Sequence, residues 1–181
     1  VPLYVLMDNE EIGSHTRQGA GGTFLIDWMN RICDSMGRER LAAVANSFLV
    51  SADNAHAVHP NHPEYADPTH RPRMNGGIVI KHGVHYATGG AACAVFSDLC
   101  GRVGVPVQHF ANRSDLPGGG TLGLITNSHV SLNAVDIGLA QLAMHSCFET
   151  AGVRDTEYLV RAMTAFYSAS FREENERFIL K

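Results

Sequence analysis

Leu6-Met7-Asp8-Asn9-Glu10-Glu11-Ile12-Gly13-Ser14 is the stretch on which the reading of this chain turns. It closes an apolar run that begins at Leu3, and it places three carboxylates, Asp8, Glu10 and Glu11, within four positions before a glycine. Side chains alternate between faces along a strand, so so dense an apolar run predicts a strand buried on both sides. The acids then fall just beyond its C-terminal end, where open α/β sheets place their ligand sites. Adjacent carboxylates repel, and a partly desolvated cluster needs either a cation or raised pKa values. A metal would let one carboxylate ligate while its neighbour stays free as a base. Taken alone, the nine residues fit a solvated acidic turn as well.

Working outward, strand and helix patterns alternate. Leu25, Trp28, Met29, Ile32 and Met36 trace one helical face behind a Thr23 cap, and Gly37 ends it. Residues 39–46 predict a short second helix. Residues 47–51 predict a buried strand that runs into Asp53. Residues 54–73 hold His56, His59, His62 and His70 among prolines at 60, 63, 68 and 72, which excludes a helix or a central strand. A loop of that length is uncommon unless it is functional. Residues 77–81 predict a strand ending in Lys81, a residue that most simply reaches out to solvent. Ala92, Val95, Phe96, Leu99 and Val103 predict a helix, and residues 105–110 a strand with Pro106 at its start.

The run Asp115-Leu116-Pro117-Gly118-Gly119-Gly120 lets backbone approach a ligand closely, yet it lacks the Lys-Ser/Thr of a phosphate loop. Residues 134–138 predict a strand, followed by His145. Asp155 is expected to cap a final helix whose face is Tyr158, Leu159, Ala162, Met163 and Phe166. Residues 171–181 are charged and helix-prone, a continuation of that helix or a separate tail. This alternation predicts a three-layer αβα sandwich.

Composition narrows the function classes. The chain has 181 residues, 45% apolar and 18% charged, with a net charge of −4. No basic stripe suggests nucleic acid. No apolar stretch is long enough to span a bilayer, and no signal-peptide pattern opens the sequence. Cys33, Cys93, Cys100 and Cys147 form no CxxC pair, which fits a reducing, cytoplasmic setting. Ten histidines invite a search for metal ligands. Because the sequence opens within an expected strand, it reads as the C-terminal part of a longer polypeptide.

Acids and a histidine at three strand ends, Glu10/Glu11, Asp53 and His145, suit zinc or manganese in an open catalytic site. Three stretches, residues 8–14, Ser51-Ala52-Asp53-Asn54-Ala55-His56-Ala57-Val58-His59-Pro60-Asn61 and Ala143-Met144-His145-Ser146, closely resemble the aspartyl aminopeptidase family. The resemblance runs from about residue 1 to 170 in the same order. Residues 171–181 do not look like the family's ending.

The resemblance implies a dinuclear zinc aminopeptidase, with manganese or cobalt as substitutes, that assembles into a tetrahedral dodecamer and acts on peptides. It implies that Glu10 is the general base toward the metal-bridging water and that Glu11 and His145 ligate one zinc. It makes Asp53 a ligand of the other. His56 and Lys81 match positions lining the pocket for the first residue's side chain, an acidic one, and the loop with Gly119 and Gly120 comes close to the peptide's N-terminal end. The family's remaining ligands, a histidine and a bridging aspartate, lie upstream of the glutamate pair and match nothing here. Two other readings compete: a non-catalytic assembly or peptide-binding module, and a dinuclear deacylase of small N-acyl amino acids.

Overall fold

The computed structural model describes residues 1–174 and 177–180. Its centre is a four-stranded sheet in the order β1-β5-β3-β4, built from β1 (Phe48–Ala52), β3 (Ile78–His82), β4 (Val107–Ala111) and β5 (Asn133–Gly138). β1 runs parallel to β5 and β3 parallel to β4, while β3 and β5 meet antiparallel. Every β3 residue from Ile78 to Lys81 is buried, as its near-continuous apolar run requires.

Alternation along the strands sorts the two faces. Ile78, Ile80, Val135 and Ile137 point to one side, where α3 (Gly90–Arg102) lays Ala92, Phe96 and Cys100 and α5 (Val153–Ser168) lays Ala162. The expected faces of both helices are therefore the ones that pack. The opposite face carries the buried Lys81 and Asp136, and α4 (Leu122–Asn127) lies against it. Helices on both faces of a mixed sheet make the expected three layers. Pro106 sits just before β4, where its carbonyl accepts from the Ile78 N–H at 3.0 Å and its missing donor costs no ladder bond.

α1 (Phe24–Ser35) follows Thr23 as expected, and Gly37 leaves it with φ 59°. Its expected apolar face is only half covered: Trp28 and Met36 are each 50% exposed, and the residue it buries is Cys33. α2 (Arg40–Ala45) is capped by Glu39, whose carboxylate accepts from Leu41 N at 2.8 Å and Ala42 N at 2.5 Å.

Four expectations are corrected. Residues 1–7 form no strand; Val1 is 89%, Tyr4 72% and Leu6 78% exposed, because no described strand offers them a ladder. The apolar density was read as burial, but a strand needs a partner as well as a pattern. Second, the cap of α5 is Gly152, not Asp155. Asp155 lies in the first turn, fully buried, and accepts from Asn75 N at 2.6 Å and Gly77 N at 2.9 Å. Third, residues 54–73, expected as one long loop, open with a short strand: β2 (Ala55–His56) pairs with β6 (Ala140–Leu142), which also pairs with β7 (Thr150–Ala151), in a small second sheet. Fourth, the chain after α5 is not helical but a hairpin, β8 (Phe171–Glu174) with β9 (Arg177–Leu180). Phe171 anchors it, its ring 5.1 Å from that of Phe48 and 5.2 Å from that of Phe166.

Asp155 ties the start of α5 to the turn that launches β3. Asp155→Ala strands the buried Gly77 amide and takes the acceptor from the part-buried Asn75 amide. It should lower the unfolding free energy by about 3 kcal/mol, read from the urea midpoint at unchanged m-value. A loss of only a few tenths would show that water replaces the carboxylate at no cost.

Candidate active site

The carboxylates of the opening stretch are delivered by a tight turn rather than by a strand end. Asn9 takes the left-handed conformation at φ 59°, and a 3₁₀ turn, Glu10–Ile12, follows. For a non-glycine residue that conformation costs about 1–2 kcal/mol. The cost is offset by Ser14 N donating to Asn9 O at 3.0 Å, Gly13 N to Glu10 O at 2.9 Å, and Asn9 Nδ2 to Thr16 Oγ1 at 3.0 Å. The result throws Glu10 and Glu11 in different directions.

Glu11 meets His145: their Oε2 and Nε2 atoms lie 3.1 Å apart. His145 reaches this position through two left-handed residues, Ala143 at φ 54° and His145 itself at φ 67°, and its N–H donates to Glu149 Oε1 at 2.5 Å. Asp53 follows β1 directly, and its N–H donates to Ile137 O at 3.0 Å. Gly138 permits that approach, since a Cβ there would lie 2.1 Å from Asp53 O.

Asp53 faces Lys81, with Oδ2 and Nζ 3.6 Å apart. Lys81 does not reach out to solvent; it is 2% exposed, with Nζ 5.7 Å from the centre of the Tyr86 ring. Burial lowers its pKa, and the carboxylates of Asp53, Asp136 and Glu10 pull the other way. Glu10 shows the opposite balance. Desolvation raises its pKa, the neighbouring Asp53 and Glu11 charges add to the rise, and His145 and Lys81 oppose it.

His56 sits on β2, where burial lowers its pKa, helped by the positive charge of Lys81 and by His145. With His59, His62, Phe110, Arg113 and Gly119 it lines a hollow of about 300 Å³ between the proline-rich loop and the glycine loop. Lys81 and Gly120 are not on its wall; Gly120 packs near the His85 backbone instead. The structure therefore brings together Glu11 with His145, Asp53 with Lys81, and His56 with Gly119. Glu10 senses the charges of Asp53, Glu11, His145 and Lys81.

Two residues escaped the sequence reading. Asp136, 1% exposed on β5, accepts from Ala87 N at 2.5 Å and Thr121 Oγ1 at 2.7 Å, and its field bears on Lys81. An acid inside the apolar run 134–138 was its signal. Tyr86, beneath Lys81, had none.

The sequence and the fold recur in known proteins. Residues 1–167 match the family model described as aminopeptidase I zinc metalloprotease (M18). The chain belongs to that family. The M18 chain is 44% identical over 171 residues to a probable M18 family aminopeptidase 2 of Clostridium novyi, covering 92% of this chain and 40% of that protein. It is 40% identical over 172 residues to a probable aspartyl aminopeptidase of Ricinus communis, covering 92% of this chain and 35% of the relative. A solved dodecamer of S. cerevisiae mApe1 superposes with a TM-score of 0.78 at 35% identity, over 90% of this chain and 37% of that one. The M18 chain thus spans about two fifths of the length of the curated relatives it matches. No helix of the described residues is long and apolar enough to cross a membrane.

The donor set fits the family's metal. A carboxylate and an imidazole whose ligating atoms lie 3.1 Å apart are spaced as two ligands of one tetrahedral ion, for which about 3.3 Å is expected from the usual bond lengths. Asp53 stands apart from that pair, with its own cationic neighbour.

Proposed function

We propose that the protein carrying this chain is an aminopeptidase that removes an N-terminal residue, preferentially Asp or Glu, from peptides. Glu11 and His145 would hold one zinc ion and Asp53 would contribute to a second, with manganese or cobalt as substitutes. A histidine and a bridging aspartate from an upstream part of the polypeptide complete the set. When bound, the two ions supply Lewis acidity toward the attacking water and the scissile carbonyl.

Glu10 is the general base. Its neighbour Glu11 is engaged by His145, while Glu10 makes no ion pair among the described residues and its pKa is raised by burial and by the charges of Asp53 and Glu11. A base must hold the proton it takes from water and then pass it to the leaving amine, which a raised pKa favours. That contrast between two adjacent carboxylates carries the reading. His56, with Gly119 beside it in the hollow, contacts the first side chain, and Lys81 stands behind Asp53 as the cation that attracts an acidic one. Gly120 extends the backbone surface toward the peptide's N-terminal end.

The dodecamer of S. cerevisiae mApe1 supports the same assembly for the intact protein. Four cysteines without a disulfide support a reducing, cytoplasmic setting. Residues 1–170 form the C-terminal part of the catalytic domain, and residues 171–181 are a charged tail with no assigned role.

The intact protein should release the first residue from an Asp-initiated peptide and leave the N-acetylated peptide untouched. Hydrolysis of the blocked peptide, or cleavage only of small N-acyl amino acids, would assign the site to an endopeptidase or a deacylase.

A further inference from the structure

The other face of β3 carries a cluster that plays no part in the site above. Along a strand, neighbours point to opposite faces, so Lys81 and His82 diverge. His82 ends β3, His109 lies on the adjacent β4, and Cys93 lies in the first turns of α3, which packs on that face. The ligating atoms of His82, Cys93 and His109 all lie within 4.8 Å of one another. Among the described residues, no other set of three His, Cys, Asp or Glu side chains comes that close.

We propose that His82, Cys93 and His109 form a second metal site, one that takes a zinc ion. Two imidazoles and a thiolate are the borderline-soft donors that zinc prefers, and three protein ligands leave a fourth position for water. The distances are close to those required. Tetrahedral zinc with ordinary Zn–N and Zn–S lengths sets its two nitrogens about 3.3 Å apart and each nitrogen about 3.6 Å from sulfur. His82 Nε2 and His109 Nδ1 are 2.9 Å apart, so the rings need to open by only a few tenths of an ångström. One of these nitrogens must donate to the other, and a cation takes the place of that shared proton.

The surroundings are open on one side and packed on the other. His109 is exposed at the sheet edge and gives the ion a way in, while Cys93 is half-buried against the α3 core. On binding, the Cys93 thiol gives its proton to solvent and ligates as the thiolate. The ion then ties α3 to the last residue of β3 and to β4, the outer strand of the sheet.

The inference does not depend on the proposed peptidase chemistry, and one measurement separates them. The intact protein is stripped of metal, kept reduced and titrated with Co²⁺, a spectroscopic stand-in for zinc. Only a thiolate ligand gives a sulfur-to-cobalt charge-transfer band in the near ultraviolet, and Glu11, Asp53 and His145 offer no sulfur. The band is expected in the unmodified protein, is bleached by added zinc, and is absent in Cys93→Ser. His109→Ala, a change at an exposed position, should weaken the cobalt affinity read from the same band at least about tenfold. Zinc content by elemental analysis should fall by one ion per chain in Cys93→Ser, with peptidase activity retained. No thiolate band in the unmodified protein, or one that survives Cys93→Ser, overturns the site. Loss of activity in Glu10→Gln with the band intact bears on the peptidase reading alone.

Discussion

Glu10→Gln should lower kcat/KM for peptide hydrolysis by about 10²–10⁴-fold while the metal content of the intact protein stays at the unmodified level. Glutamine matches glutamate in size, so the 3₁₀ turn and its backbone bonds, Gly13 N to Glu10 O among them, have no reason to change. What is lost is the group able to hold a proton during the reaction. Glu11 cannot replace it, because its carboxylate is turned to His145. The variant also removes a negative charge beside Asp53 and Glu11, so metal affinity should change only modestly. Elemental analysis beside the kinetics decides the role. Loss of metal with activity would make Glu10 a ligand, and near-normal turnover would move the base elsewhere.

Lys81→Met should erase most of the preference for an acidic first residue. The expected fall in kcat/KM for Asp- or Glu-initiated peptides is roughly one to three powers of ten, the scale of a lost desolvated charge contact of about 2–4 kcal/mol. A Leu-initiated peptide should be nearly unaffected. Methionine fills a similar volume under the Tyr86 ring, and Asp53, with its side chain 40% exposed, can be solvated once its partner is gone. Asp136 stays buried and loses the nearby cation, so the variant should also be less stable, and the two substrates are compared below its melting temperature. The ratio of kcat/KM for Asp- and Leu-initiated substrates is the measurement. An unchanged ratio would confine Lys81 to holding Asp53 in place, and the reader of the acid would be sought on the wall of the His56 hollow.

How far the sequence could be read depended on element length. β1, β3, β4, β5, α1, α3 and α5 were all legible, because each is long enough for a period of 2 or 3.6 to declare itself. β2, β6 and β7 were not, since two or three residues carry no period, and neither was α4, a six-residue helix of under two turns whose form comes from packing on the sheet. Residues 1–7 show the converse error, a strong pattern with no partner. Asp155 lies at the expected helix end but does another task, because the amides that donate to it, those of Asn75 and Gly77, are about eighty positions away in the chain. In the candidate active site the residue types were visible and their meeting was not. The 3.1 Å approach of Glu11 and His145 depends on left-handed backbone at Asn9, Ala143 and His145, none of them glycine. His82, Cys93 and His109 have no spacing signature, because strand pairing and a helix laid over it bring them together.

The strand order β1-β5-β3-β4 also sets a schedule for folding. β5, residues 133–138, is the last strand of the sheet to be made, yet it lies between β1 and β3. Until it emerges from the ribosome, β1 and β3 both lack the strand they share as neighbour, and the β3–β4 pair has an open edge lined by the buried positions 78–81. β1 and the β3–β4 pair must therefore wait, separated, for a central strand made some eighty residues after β1. Contacts that close such long loops form slowly, and waiting edges invite pairing with other chains. A nascent chain that stalls before residue 133 is accordingly the species most in need of a chaperone.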